Sequence, residues 1–156
     1  MKLDIEQVRE YIANSSPNSK IYIGADSERF KNNKRWFADY AVVVVVHIDG
    51  NKGCKVFGEV TREQDYDSKP NRPAIRLMNE VCKLADLYLQ FQDVIGDRHC
   101  ELHLDINPDD RHGSSCVVQQ AVGYIRGVCN IDPKLKPYGF AASICADRFK
   151  ELAAAA

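Results

Sequence analysis

The 156 residues are 45% hydrophobic and 28% charged, and 21 Lys+Arg stand against 22 Asp+Glu for a formal net charge of -1. A chain of this size and composition builds one ordinary globular core, which excludes disorder and fibrous repeats. It also lacks the global positive field of a non-specific nucleic-acid binder. The longest apolar run, residues 41–46, fits a buried strand, whereas a membrane span takes about 20 residues.

The first residues, Met1-Lys2-Leu3-Asp4-Ile5-Glu6, carry neither the positive flank nor the apolar stretch of a secretory signal, so a cytoplasmic location without membrane contact is expected. Six cysteines without a Cys-x-x-Cys pair or a partnering His cluster suggest neither a zinc site nor a redox motif; they read as reduced, buried structural residues. No repeat, linker or composition shift divides the chain. A single domain over residues 1–152 is expected, with an Ala-rich tail at 153–156.

Leu3, Ile5, Val8 and Ile12 space out a short amphipathic helix over residues 3–13, ended by the turn residues Asn14-Ser15-Ser16-Pro17-Asn18. Strands follow at residues 21–26, at 40–48 with a run of valines, and at 53–61, the last two joined by an Asp49-Gly50-Asn51 hairpin turn. Pro73 suits the first turn of a long helix reaching about residue 92. A fourth strand at 100–107 stops at Pro108, and Gly113-Ser114-Ser115 caps a helix through about residue 129. A short extended piece near Leu135 precedes a closing helix over about 143–152. Three antiparallel strands followed by alternating helices and strands predict an α/β fold, a mixed sheet with helices on its faces.

Period-2 alternation in the first strand puts Ile21, Ile23 and Ala25 on one face and Tyr22, Gly24, Asp26 and Glu28 on the other. Asp26 therefore stands at the carboxyl end of a central strand, where a carboxylate is costly unless paired or bound to a cation, although Asp-Ser-Glu also makes an ordinary turn. The fourth strand repeats the pattern, with Leu102, Leu104 and Ile106 opposite Glu101, His103, Asp105 and Asn107, and Asp105 near its end. On the long helix Glu80 falls inside the apolar arc of Leu77, Leu84 and Leu87, either as a functional acid or as a surface residue at the edge of the stripe. Asp147 ends a run of small residues that allows close packing of the last helix; alone it reads as a surface acid.

Four such acids make chemical sense together as hard oxygen ligands for Mg²⁺ or Mn²⁺. In two-metal phosphodiester hydrolysis the ions lie about 4 Å apart, one activating water and the other stabilising the leaving oxygen. Bound cations also attract a phosphate that a net-acidic protein would otherwise repel.

The stretches Ile21-Tyr22-Ile23-Gly24-Ala25-Asp26-Ser27, Arg76-Leu77-Met78-Asn79-Glu80-Val81, His103-Leu104-Asp105-Ile106-Asn107-Pro108 and residues 136–147 resemble the YkuK-like family of ribonuclease H-like nucleases. That resemblance implies a ribonuclease H-like sheet and a divalent-metal nuclease. It matches Asp26 to the first-strand acid, Glu80 to the helix acid, Asp105 to the fourth-strand acid and Asp147 to the closing-helix acid. The chain departs from a typical ribonuclease H in lacking a strongly basic substrate handle before its closing helix.

Residues 29–37 interleave basic and aromatic side chains, so Lys31, Lys34 and Arg35 are candidate phosphate contacts and Trp36 a candidate stacking platform for a DNA or RNA substrate. Alternatively Trp36 and Phe37 turn into the core. Arg72, Lys134 and Lys136 are weaker contact candidates, and His103 and His112 are candidate proton-transfer groups. Two rivals to a nuclease are a binding module on the same fold without catalysis and a metal-dependent hydrolase of small nucleotides.

Overall fold

A computed structural model describes residues 2–67, 73–109, 111 and 113–155. Its sheet contains β1 (Lys20–Asn32), β2 (Arg35–His47), β3 (Cys54–Gln64) and β4 (His99–Leu104) in the order β3-β2-β1-β4. The first three strands form an antiparallel meander, and β4 pairs parallel to β1. A parallel return needs a crossover. α2 (Ala74–Ile95) supplies it, with α1 (Ile5–Asn14), α3 (Val118–Cys129) and α4 (Asp147–Ala155) completing the helices. The architecture is the mixed α/β sheet that the order of elements predicts. Among the described residues no helix is long and apolar enough to cross a membrane.

Both faces of the sheet are covered. Ile21, Ile23, Ala25, Val42, Val44, Val46, Leu102 and Leu104 pack against the inner sides of α1, α2 and α3. On the opposite face Ala41, Val43 and Val45 meet Ala141, Ala146 and the ring of Phe149. Double coverage explains why residues 42–46 are all valine: each position of this stretch of β2 is apolar because each faces a packed layer.

The layer carrying α4 is thin because of two glycines. Gly24 of β1 pairs with Val43 of β2, which pairs with Gly58 of β3, so the two glycines share one row across the sheet. The backbone of Ala141 and Ala142 lies over Gly24, and the Phe149 ring over Gly58. A π-helical turn, Ala141–Ala146, makes this approach and leads directly into α4. Turns of this kind bend a helix at a defined place.

Several boundaries differ from the sequence reading. β1 and β2 extend to Asn32 and Arg35, joined by a two-residue hairpin of Asn33 (φ 49°) and Lys34 (φ 67°). Strand pairing carries them past the apolar residues on which the shorter reading rested. β4 ends at Leu104, so Asp105 follows the strand instead of lying within it; residues 134–136 line its outer edge through hydrogen bonds to Leu102, Leu104 and Ile106. The segment after Gly113 winds as a 3-10 turn to Val117, and α3 starts there without a side-chain cap. Asp4 caps α1 by accepting from the Gln7 N–H. All six cysteines are free, but only Cys129 is fully buried and Cys54 is exposed, which corrects the expectation of buried thiols.

Lys34 supports a direct test of the hairpin. A two-residue turn with positive φ at both positions favours Asn-Gly, and an L side chain in that region is disfavoured. Lys34→Gly is expected to stabilise the protein by about 1 kcal/mol in urea unfolding, and a loss of stability would contradict the turn geometry.

Candidate functional site

The parallel register explains why two of the acids meet. Its last pair is Ala25↔Leu104, so the next residues are Asp26, still within β1, and Asp105, just past the end of β4. Their carboxyl groups come within hydrogen-bonding reach of each other. α2 brings Glu80 to the same end of the sheet from the other layer, where it feels the charges of both aspartates. Asp147 begins α4, and Lys150 lies one turn further on.

The electrostatics are those of a crowded, desolvated anionic centre. Asp26 is 7% exposed, and burial pushes its pKa up to about 6, against the pull of Lys150 and with a further push from Asp105. Glu80, at 2% exposure, is raised well above the ordinary carboxylate range, first by burial and then by Asp26, while Arg76 opposes the shift. Glu80 Oε2 is buried without a hydrogen-bond partner. An orphaned carboxylate oxygen in such a place is expensive unless something positive approaches it.

Two lysines do approach the aspartates. Lys150 Nζ is 2.6 Å from Asp26 Oδ2 and 3.5 Å from Asp147 Oδ1, and Lys136 Nζ is 3.0 Å from Asp105 Oδ1. Burial lowers the Lys150 pKa, but Asp26, Asp147 and Glu28 outweigh it and leave the ammonium firmly charged. The structure thus gathers Asp26, Glu80 and Asp105 and attaches Asp147 at the rim, its side chain 52% exposed, through Lys150. Lys150 was missed in the sequence, although its spacing of three from Asp147 puts both on one face of a helix.

A second ring of polar contacts fixes the acids' surroundings. Arg76 Nη1 donates to the Ser27 carbonyl and hydroxyl at 3.0 and 2.6 Å, and that hydroxyl also meets the Glu80 carboxyl. Asp67 accepts from the N–H groups of Ile75 and Arg76 at 2.8 Å each, so the loop after β3 caps α2. Arg29 pairs with Asp65 at 2.7 Å. None of these polar contacts is visible as a spacing in the chain.

The β1–β2 hairpin carries the substrate-contact candidates. The guanidinium of Arg29 stacks on Trp36 at 3.9 Å, and Lys31 Nζ lies 5.6 Å from that ring. Phe30 and Phe37 stack at 5.9 Å, with Arg62 over Phe30 at 4.3 Å. Trp36 is 38% exposed, and neither it nor Phe37 joins the core, so the alternative that they turn inward is set aside. Lys34 is at the tip and Arg35 opens β2.

His103 is a partnered core residue. Its Nε2 is 3.0 Å from Glu101, its Nδ1 accepts the Ala141 N–H at 3.1 Å, and its ring packs on Phe140 and Tyr22. Burial lowers its pKa, which suits a neutral ring that donates from Nε2 and accepts at Nδ1. Lys134 lies on the edge bridge beside it. Arg72 and His112 lie outside the described residues.

Whether these residues suit a divalent cation turns on donor chemistry and arrangement. The donors fit: three carboxyl groups crowd one desolvated place, and Glu80 offers a buried oxygen with no hydrogen-bond partner. Among the described residues no group of three or more His, Cys, Asp or Glu side chains is already arranged around an ion position. Lysine ammonium groups lie on two of the acids instead. A family model described as Ribonuclease H-like matches residues 4–151. Comparison with curated proteins and with solved structures gave no significant match.

Proposed function

The chain belongs to the ribonuclease H-like family, in its YkuK-like group, and from that premise we propose that it is a divalent-metal-dependent nuclease hydrolysing phosphodiester bonds of DNA or RNA. The observation that carries the proposal is the buried, unpartnered oxygen of Glu80 beside Asp26 and Asp105. Groups so expensive to bury together are tolerated where a cation is to be held. Asp26, Glu80 and Asp105 are the ligands in this reading, and Asp147 completes the site from the closing helix. Mg²⁺ or Mn²⁺, when bound, supplies an activated water and charge for the leaving oxygen.

The chain's own residues do the rest. Arg76 and Ser27 orient Glu80, and the hairpin extends the substrate surface. From Asp26 to the tip is about 20 Å of strand, roughly six base-pair rises, so Lys31, Lys34 and Arg35 reach backbone well beyond the cleaved bond while Trp36 offers a stacking face.

The test is cleavage of labelled single-stranded, duplex, hybrid and branched oligonucleotides with Mn²⁺ or Mg²⁺, beside an Asp26→Asn/Asp105→Asn variant. The parent is expected to cleave at least one substrate, and the variant to be slower by about a thousandfold. Equal cleavage by both would remove these acids from the chemistry.

A second reading is a binding module without catalysis, favoured by the two lysines that already neutralise Asp26 and Asp105. It predicts salt-sensitive oligonucleotide binding with no cleavage by a folded, metal-loaded parent.

A further inference from the structure

Four carboxyl groups and two ammonium groups meet at the end of the sheet, and the two lysines differ in kind. Lys136 is a partly exposed residue on the segment along the edge of β4 and pairs with Asp105 alone. Lys150 is 8% exposed and bridges two acids, Asp26 and Asp147. Its position is set by packing: α4 is seated on the Gly24 and Gly58 row through Ala141, Ala142 and Phe149, so the ammonium is delivered by a fixed helix. A lysine buried to this extent is held by its partners or not at all.

The unmet demand for charge lies elsewhere. Glu80 Oε2 and Asp105 Oδ1 are both buried without a hydrogen-bond partner, and of the two Asp105 Oδ1 has an ammonium beside it, Lys136 Nζ at 3.0 Å.

We propose that Lys150 takes the place of one of the two cations, so that the site binds a single divalent ion among Asp26, Glu80 and Asp105 while the ammonium holds Asp26 and Asp147 together. This rests on the metal-nuclease reading and modifies the two-ion scheme expected from the acids alone. An ammonium supplies positive charge and hydrogen-bond donors to phosphate oxygens, but it cannot acidify a bound water as a divalent ion does. Asp26, Glu80 and Asp105 would hold the one ion, which would supply the activated water when bound, and Lys150 would be left to meet the phosphate.

The experiment is a Mn²⁺ titration of the full chain, reading free Mn²⁺ by electron paramagnetic resonance, with folding followed by circular dichroism. The parent is expected to saturate at one ion per chain, and Lys150→Met and Lys150→Gln at two. Lys136→Met should keep the stoichiometry of one and tighten binding by no more than about tenfold, the effect of removing one competing charge near the surface. Two ions on the parent, or one on both folded Lys150 variants, would overturn the role of Lys150 and leave the metal site standing. If Lys150→Met does not fold, the parent's stoichiometry and the Gln variant decide. No ion on a folded parent would remove the metal-nuclease reading itself, and this inference with it.

Discussion

Gly24→Ala is expected to destabilise the protein by about 3 kcal/mol, at the upper end of what one added methyl group does in a packed core. An added Cβ at this position would lie 2.5 Å from the Ala141 carbonyl carbon, 2.6 Å from the Ala142 nitrogen and 2.7 Å from the Ala141 oxygen. All three are backbone atoms of the π-helical turn, so no rotamer change relieves the clash and the closing helix must lift. Lys150 and Asp147 travel with it, and the Lys150 contact to Asp26 is lost. Gly58→Ala is the control. Its Cβ would meet the Phe149 ring at 2.9 Å, and a ring can tilt, so a loss of about 1 kcal/mol is expected. Urea unfolding measures both, and proteolysis within residues 141–155 should accelerate for Gly24→Ala alone. Equal losses from the two substitutions would contradict the seat described for α4.

Glu80→Gln should do the reverse and stabilise the metal-free protein by about 2 kcal/mol at pH 7.5. The Glu80 pKa is raised in the folded state, chiefly by burial. The folded state therefore binds more protons than the unfolded chain, and stability falls as pH rises above the unfolded carboxylate range. Glutamine keeps the shape and removes that proton linkage. The advantage of the variant is expected to vanish below about pH 4, where both forms are neutral in either state. Asp26, raised to about 6, adds a slope of the same sign, so the variant retains a shallower dependence. Unfolding curves at pH 4 and 7.5 provide the check. Saturating Mn²⁺ should reverse the order, because an ion that binds only the folded parent stabilises it by mass action. A stability gain independent of pH would sink the account of Glu80 as a desolvated acid awaiting a cation.

Both predictions depend on features that the linear chain discloses unevenly. The alternation of Ile21, Ile23 and Ala25 against Tyr22, Gly24 and Asp26 is local, since a strand's side chains alternate whatever it pairs with. It placed Asp26 on the correct face, whereas the same rule put Asp105 inside the fourth strand, which ends one residue earlier at Leu104. Glu80 was legible as an anomaly, an acid within an apolar helical arc. Its exposure of only 2% explains the anomaly: the arc faces the core over most of its length, and Glu80 occupies the part that reaches the end of the sheet.

Pairing was not legible. The length of β4 depends on how far β1 and residues 134–136 hold it, and no residue in 100–107 announces the stop at Leu104. The hairpin aromatics were ambiguous for a similar reason: whether Trp36 enters the core depends on how far β1 and β2 run beyond the covering helices.

The sequence by itself determined the mixed α/β class, the strand faces and the acids worth watching, because these follow from local periodicity and from the cost of burying charge. Only the tertiary structure decided that Asp26 and Asp105 follow the last β1–β4 pair, that a glycine row seats the closing helix, and that Lys150 is buried between Asp26 and Asp147. Those are matters of register and close approach between segments roughly eighty to more than a hundred residues apart, and no local pattern encodes a distance across the fold.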